Sequence, residues 1–202
     1  EFSGDETLGV DYIIPDISYI KQNIKKFRGI FLTHGHLDHI WAIKDIVEEL
    51  NYPMIYTTPL TLGIIKKTFN SLEESNKLKY TIVDPTADIV KAGTDFMVEF
   101  VAVNHNIPET FALSITTPKG VIFTSADFKI DHSPAVDLPA DLSKMARIGT
   151  EWVKLYIGDS LWSQKEWFAP SERIIGENLD QVIKETNGRL IIATFASNVW
   201  RI

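Results

Sequence analysis

The chain has no cysteine among its 202 residues. That excludes disulfides, thiolate metal sites and a cysteine nucleophile, so any metal must be held by histidine, aspartate or glutamate. A cysteine-free chain also suits a reducing compartment. Basic residues are in deficit: 20 Lys and Arg against 27 Asp and Glu leave a formal charge of −7. This argues against a broad cationic face for nucleic acid or anionic lipid. It leaves open a local site at which bound cations supply the positive charge. No stretch approaches the ~18 consecutive apolar residues of a membrane span. The segment Glu1-Phe2-Ser3-Gly4-Asp5 lacks the basic and apolar regions of a signal peptide, so the expected compartment is cytoplasm and no membrane contact is expected. What is present is ordinary globular material, 45% hydrophobic and 23% charged, too apolar for disorder. Its length suits one good-sized core, or one domain plus part of a second.

Short β-rich segments alternate with amphipathic helical ones, which predicts an α/β layered fold. Residues 28–33 are apolar and short, as in a buried strand, and a polar loop, 34–39, follows. Ile40, Ile43, Ile46, Val47 and Leu50 then keep helical spacing, with Lys44, Asp45, Glu48 and Glu49 on the other face. Residues 53–57 read as a second strand, and Pro59 opens a helix to about 69. Residues 79–83, 96–103, 111–116 and 120–124 are strand-like, with a turn at 118–120. Asp141 is placed to cap a helix over 142–153, and 154–158 reads as a short buried strand. Residues 162–170 form the linker candidate, and Ser171 caps a helix to about 184. Residues 189–195 read as a last strand, and the text stops as 196–198 opens a further helix, an ending that reads as cut.

The strongest chemical signal is Thr33-His34-Gly35-His36-Leu37-Asp38-His39, which places three of the five histidines within six residues. In an extended loop, alternate residues point the same way, so His34 and His36 reach one metal from the same side. Asp38 and His39, past a bend, reach a second. Imidazole and carboxylate suit zinc, with manganese as the alternative. His105 and Asp127 each close an apolar strand. Alone, the first is an ordinary loop histidine and the second a turn residue or helix cap; beside the histidine cluster, both become candidate ligands. His132 has no such framing and reads as surface.

His34-Gly35-His36-Leu37-Asp38-His39 matches the HxHxDH signature of the metallo-β-lactamase superfamily. Further segments are more specific: 9–16, Asn104-His105-Asn106-Ile107-Pro108, Asp127-Phe128-Lys129, Pro170-Ser171-Glu172-Arg173 and 193–198. Together they resemble the ribonuclease J family, in the β-CASP branch of that superfamily, over nearly the whole chain. The resemblance implies an αββα sandwich, incomplete here, with a metallo-β-lactamase-like domain over 1–165 and the start of a β-CASP-like domain over 166–202. It implies a two-zinc centre that hydrolyses RNA phosphodiesters, 5′-to-3′ and sometimes internally. His34, His36 and His105 would hold one ion, Asp38 and His39 the other, and Asp127 would bridge them. Asp159, in Gly158-Asp159-Ser160, matches the acidic position that opens the β-CASP motifs and joins Asp38 as a catalytic candidate. The competing reading of Asp159 is a buried strand-end carboxylate that caps a loop.

The chain departs from that pattern in three ways. By the resemblance it lacks an initial strand region and a late histidine of the second metal, which predicts weaker binding there and self-association through the open edges. Leu37 stands for an acidic residue; Trp41, Ala126 and Trp152 stand for glycines; Leu161 and Trp162 stand for Thr-Asn; and Trp200 stands for histidine. Five tryptophans are many for this length, and several fall at those positions, as expected of drift or of engineered cover for exposed surface. The alternatives to a ribonuclease are therefore a natural or engineered fragment with an incomplete metal site, or a metal-dependent small-ester hydrolase.

Overall fold

Three strands, the first two each followed by helices, build the first sheet. The computed structural model describes residues 9–10, 12–135, 137–166 and 168–198. The expectations at Glu1–Asp5, Asp11, Trp167 and Trp200 lie outside the described residues. Two units are distinguished, Glu1–Val83 and Asp84–Ile202.

In the first unit, α1 (Ser18–Gln22) and a 3-10 turn (Ile24–Lys26) lead to β1 (Ile30–Phe31). Then come α2 (Leu37–Ile40), α3 (Ile43–Ile46), β2 (Met54–Thr57), α4 (Pro59–Thr68), α5 (Leu72–Ser75) and β3 (Lys79–Ile82). The three strands form a parallel sheet in the order β1-β2-β3, with Ile30 opposite Ile55 and Ile55 opposite Tyr80. Parallel neighbours need crossovers, which the helices supply. β1 is shorter than its apolar run. Gly29 enters it at φ 144°, where an added Cβ would stand 2.9 Å from the carbonyl oxygen of Met54, so only glycine permits this close approach.

The helical spacing after the histidine loop is realised as two short helices instead of one, because Ala42 takes ψ −11° between them. The apolar face survives the break. Ile40, Ile43 and Val47 are buried with Leu32, Ile55, Ile65 and Leu78 in one cluster. Pro59 sits in the first turn of α4 as its missing N–H allows.

In the second unit, β4 (Ile89–Ala92), β5 (Phe96–Ala102), β6 (Phe111–Thr117) and β7 (Gly120–Thr124) run antiparallel in order, and β8 (Val153–Ile157) adds to β7 in parallel. α6 (Leu142–Thr150) intervenes before β8, and α7 (Glu172–Glu185) follows it. Asp141 caps α6 by accepting the Lys144 N–H at 2.8 Å, and Ser171 caps α7 from the Arg173 N–H. Ile148 of α6 is buried with Val101, Val103, Ala112, Val121 and Phe123.

Three local expectations are corrected. β4 is absent from the sequence reading because its four residues include Lys91 and end at Ala92, too little apolar periodicity to mark a strand. β8 is not buried: as the edge strand it leaves Leu155, Tyr156 and Ile157 about half exposed. Residues 189–195 form no strand, since they pair with none of the described strands, and Ile191 and Phe195 are exposed. Mixed α/β architecture itself is as expected. Among the described residues, no helix is long and apolar enough to cross a membrane.

Candidate functional site

The first unit supplies an imidazole cluster. α2 starts immediately after His36, whose φ of −68° and ψ of 144° are extended. The helix therefore turns Asp38 and His39 in a new direction from the residues before it. The His34 ring is fully buried. It lies edge-on to His36, with centroids 4.8 Å apart, and tilted against His39 at 4.2 Å. Thr33 Oγ1 is 3.1 Å from His34 Nδ1, a contact that orients the imidazole as second partners of ligating histidines do. Asp38 Oδ2 lies 3.4 Å from His39 Nε2, with the carboxylate exposed and the ring partly covered. Leu37 points to solvent. Trp41 packs beside Tyr12, ring centroids 6.3 Å apart, while the Tyr12 hydroxyl donates to Asp45 Oδ1 at 3.1 Å.

The second unit supplies a histidine–carboxylate pair. His105 follows β5, and Asp127 follows β7. His105 Nε2 and Asp127 Oδ2 are 3.6 Å apart. That is too long for a hydrogen bond. It is close to the roughly 3.3 Å that separates two donors on one tetrahedral ion with bonds of about 2.0–2.1 Å. The donor chemistry of both units, neutral imidazole with carboxylate and no thiolate, thus fits a zinc-like divalent cation. Ala126, before Asp127, takes φ 53°, a backbone conformation that favours glycine.

Asp159 lies just past β8 and is exposed, so it is not a buried carboxylate. Its N–H donates to Ser125 Oγ at 3.0 Å, and its Oδ1 accepts the Leu161 N–H at 2.9 Å. Ser125 in turn donates its N–H to the Ile157 carbonyl oxygen at 3.0 Å. The loop of Asp159 is therefore tied to the strand end that delivers Asp127. His132 is exposed, as expected. Trp152 and Trp162 are mostly exposed, with Lys154 Nζ 4.5 Å and Lys165 Nζ 4.1 Å from the respective ring centroids.

Several supporting residues escaped the sequence reading. Asn104 is buried; its Nδ2 donates to the Leu138 carbonyl oxygen at 2.8 Å, and its Oδ1 accepts the Ala140 N–H at 3.0 Å. Lys129 Nζ donates to Glu172 Oε1 at 2.7 Å and stands 3.8 Å from Asp131 Oδ2. Asn104, Lys129, Asp131, Asp137 and Glu172 line one small crevice with His105. Burial works against the charge on Asp131, yet the N–H groups of Ser133 and Glu172, the Ser171 hydroxyl and the Lys129 ammonium together hold its carboxyl below the usual range. Burial pushes Asp137 up, although it accepts the N–H groups of Glu109 and Leu138. The only sequence signal for Asn104, Lys129 and Glu172 was their presence in the quoted segments around 104–108, 127–129 and 170–173; Asp131 and Asp137 had none.

Comparison with known proteins follows the same lines. The chain is 36% identical over 203 residues to ribonuclease J of Synechocystis sp., covering 100% of this chain and 31% of that protein. It is 38% identical over 201 residues to ribonuclease J of Helicobacter pylori, covering 100% of this chain and 29% of that protein. The chain thus spans about a third of the length of these relatives. Among solved structures, a protein of unknown function from Enterococcus faecalis V583 matches 86% of this chain and 43% of its own, with TM-score 0.60 and 21% identity. Unliganded yeast PDE1 matches 77% of this chain and 52% of its own, with TM-score 0.55 and 17% identity. These two likenesses concern the fold. The beta-lactamase superfamily domain family matches residues 13–173, a span that includes every candidate ligand from His34 to Asp127, and the chain belongs to that superfamily.

Proposed function

We propose that this chain carries the metal centre of a ribonuclease of the ribonuclease J type, which hydrolyses RNA phosphodiesters, 5′-to-3′ or internally, in the cytoplasm. The observation that carries the reading is the likeness to ribonuclease J from two bacteria over the full chain, which takes in both donor groups. In this reading His34, His36 and His105 hold one ion, Asp38 and His39 hold the other, and Asp127 is shared. Zinc is the first choice, because imidazole dominates the donor set, and manganese is the alternative. Residues 1–165 form the metallo-β-lactamase-like domain, and 166–202 begin a β-CASP-like one.

Bound cations would supply Lewis-acid stabilisation of the phosphoryl oxygens and lower the pKa of water. The chain's own residues would hold and orient. The Thr33 contact would orient the buried His34 ring, and the bond from the Asp159 N–H to Ser125 ties the Asp159 loop to the strand end of Asp127. Asp38 and Asp159 supply the catalytic carboxylates. A chain with net charge −7 has little cationic surface of its own, so the phosphate groups are attracted by the ions.

The test combines metal analysis of the purified chain with cleavage of 5′-labelled RNA. About two ions per chain, with cleavage lost on chelation and in His36→Ala, is the expected result. Turnover of small esters with no RNA cleavage would replace this reading with the esterase alternative. Absence of both bound metal and turnover would make the chain a remnant of the site.

A further inference from the structure

β5 and β7, which deliver His105 and Asp127, are not neighbours in the sheet; β6 runs between them. The ladder therefore does not pair the two strands directly. Beyond it, an isolated antiparallel bridge joins the segments that follow them, between Asn104 and Lys129, in which the Lys129 N–H donates to the Asn104 carbonyl oxygen at 2.7 Å. Asn104 adjoins His105, and Lys129 is two residues past Asp127. The bridge is held from both sides. On one side the Asn104 amide is fastened to Leu138 and Ala140. On the other, the Lys129 side chain, 15% exposed, reaches the start of α7, with Glu172 Oε1 at 2.7 Å, the Pro170 carbonyl oxygen at 3.4 Å and Asp131 Oδ2 at 3.8 Å.

The start of α7 is locked to the same segment by its backbone and cap. The Glu172 N–H donates to Asp131 Oδ2 at 3.1 Å, and the Ser171 hydroxyl donates to the Ser133 carbonyl oxygen at 2.7 Å. Residues 129–133 and 170–172 thus form one unit, with a single ammonium shared by two almost fully buried carboxylates. A surface ion pair contributes little, but removing one member of a buried, hydrogen-bonded set leaves the others uncompensated and forces them to move.

We propose that Lys129 is a positioning residue: through its contacts with Glu172 and Asp131 it makes the seating of α7 set the His105–Asp127 spacing, and hence the affinity for the metal. This rests on the metal-centre reading above. Lys129 acts through the backbone bridge, and its effect is on geometry rather than on charge at the ion.

Zinc affinity of the full chain, measured by competition with a chromophoric chelator at a temperature where circular dichroism shows each variant folded, is the test. Loss of a direct outer partner of a ligand typically weakens metal binding about 10–100-fold; Lys129 acts one step further out, so Lys129→Met is expected to raise the zinc Kd about tenfold, the lower end of that range. Lys129→Arg, which keeps the ion pairs, recovers most of it. Lys119→Met, an exposed turn lysine, leaves the Kd within about twofold by the same yardstick, which separates positioning from loss of charge. If Lys129→Met does not fold, Glu172→Gln, which keeps the side-chain shape, carries the test with the same expected direction. A purely structural lysine would lower the melting temperature and leave the Kd of the folded protein unchanged; that result in Lys129→Met or Glu172→Gln overturns the proposal. Absence of zinc binding by the unsubstituted chain overturns the metal-centre reading, and this one with it.

Discussion

His105 and Asp127 bring Nε2 and Oδ2 to 3.6 Å of each other from two strands that share no ladder. The pair is a consequence of the chain crossing beyond the strand ends, where Lys129 bridges back to Asn104. Donors this close are within the spacing that one tetrahedral ion spans, and a cation held there would have thermodynamic effects that can be measured.

A ligand that binds only the folded state stabilises it by about 2.7 kcal/mol at a concentration a hundred times its Kd. Zinc added at that ratio is expected to raise the melting temperature of the chain, and a chelator to reverse the rise. His105→Ala removes one donor and should lose most of the zinc-induced shift, while His132→Ala, at an exposed position, should keep it. Thermal melts by circular dichroism with and without chelator check this; equal shifts in both variants would count against His105 as a ligand.

Ala126 sits at φ 53°, where a Cβ crowds the following carbonyl at a cost of roughly 1–2 kcal/mol. Glycine removes that strain but is freer in the unfolded chain by roughly 0.5–1 kcal/mol. Ala126→Gly is therefore expected to stabilise the protein by up to ~1 kcal/mol, a rise of ~2–4 °C for a chain of this size. Scanning calorimetry gives the answer; a lower melting temperature would contradict the strain argument.

The acid limb of stability should carry the signature of Asp131. Its folded pKa is lowered, so as pH falls the unfolded chain takes up the proton first, near the ordinary value of about 3.9. The stabilisation is full above that pH and is lost as pH falls further, through the folded pKa. Asp141 shifts the same way, chiefly because it accepts the Lys144 N–H and then the Ser143 hydroxyl. Asp137 opposes them: burial raises its pKa, so its contribution is present below the ordinary carboxylate value and lost as pH rises. Urea midpoints measured between about pH 5 and 2 should fall less steeply in Asp131→Asn than in the unsubstituted chain.

Asp141 has a second, local role as the cap of α6. Asp141→Ala should lower stability by ~1 kcal/mol, as loss of an N-cap does. Asp141→Ser should restore most of it. Denaturant titration distinguishes the two substitutions directly, and equal losses would show that the charge, and not the cap, matters.

How much of this was legible beforehand varies by residue. The turn at 118–120, the strand over 120–124 and the caps Asp141 and Ser171 are local features, written in neighbouring side chains, and they stand where the spacing put them. The helical face of Ile40, Ile43 and Val47 is buried as its period required, although Ala42 divides the helix, because burial follows the pattern while the hydrogen-bond ladder follows backbone angles. β4 and the exposed β8 were misjudged for a different reason. Whether a short segment finds a partner, and whether its sides are covered, depends on which other strands arrive beside it.

Residue spacing alone decided that His34, His36, Asp38 and His39 fall in one short polar segment after a strand, and that His105 and Asp127 end apolar strands, because alternation and run length are properties of adjacent residues; that Asp38 and His39 lie in α2 and not in a loop was not legible. Only the tertiary structure decided that His105 and Asp127 meet across β6, that Asp159 hangs from Ser125, and that Lys129 lies between Asp131 and Glu172. The contacts of His105 with Asp127, Asp159 with Ser125 and Lys129 with Glu172 join residues 22, 34 and 43 positions apart. They arise from how the sheet orders its strands and where α7 docks, which no local period encodes.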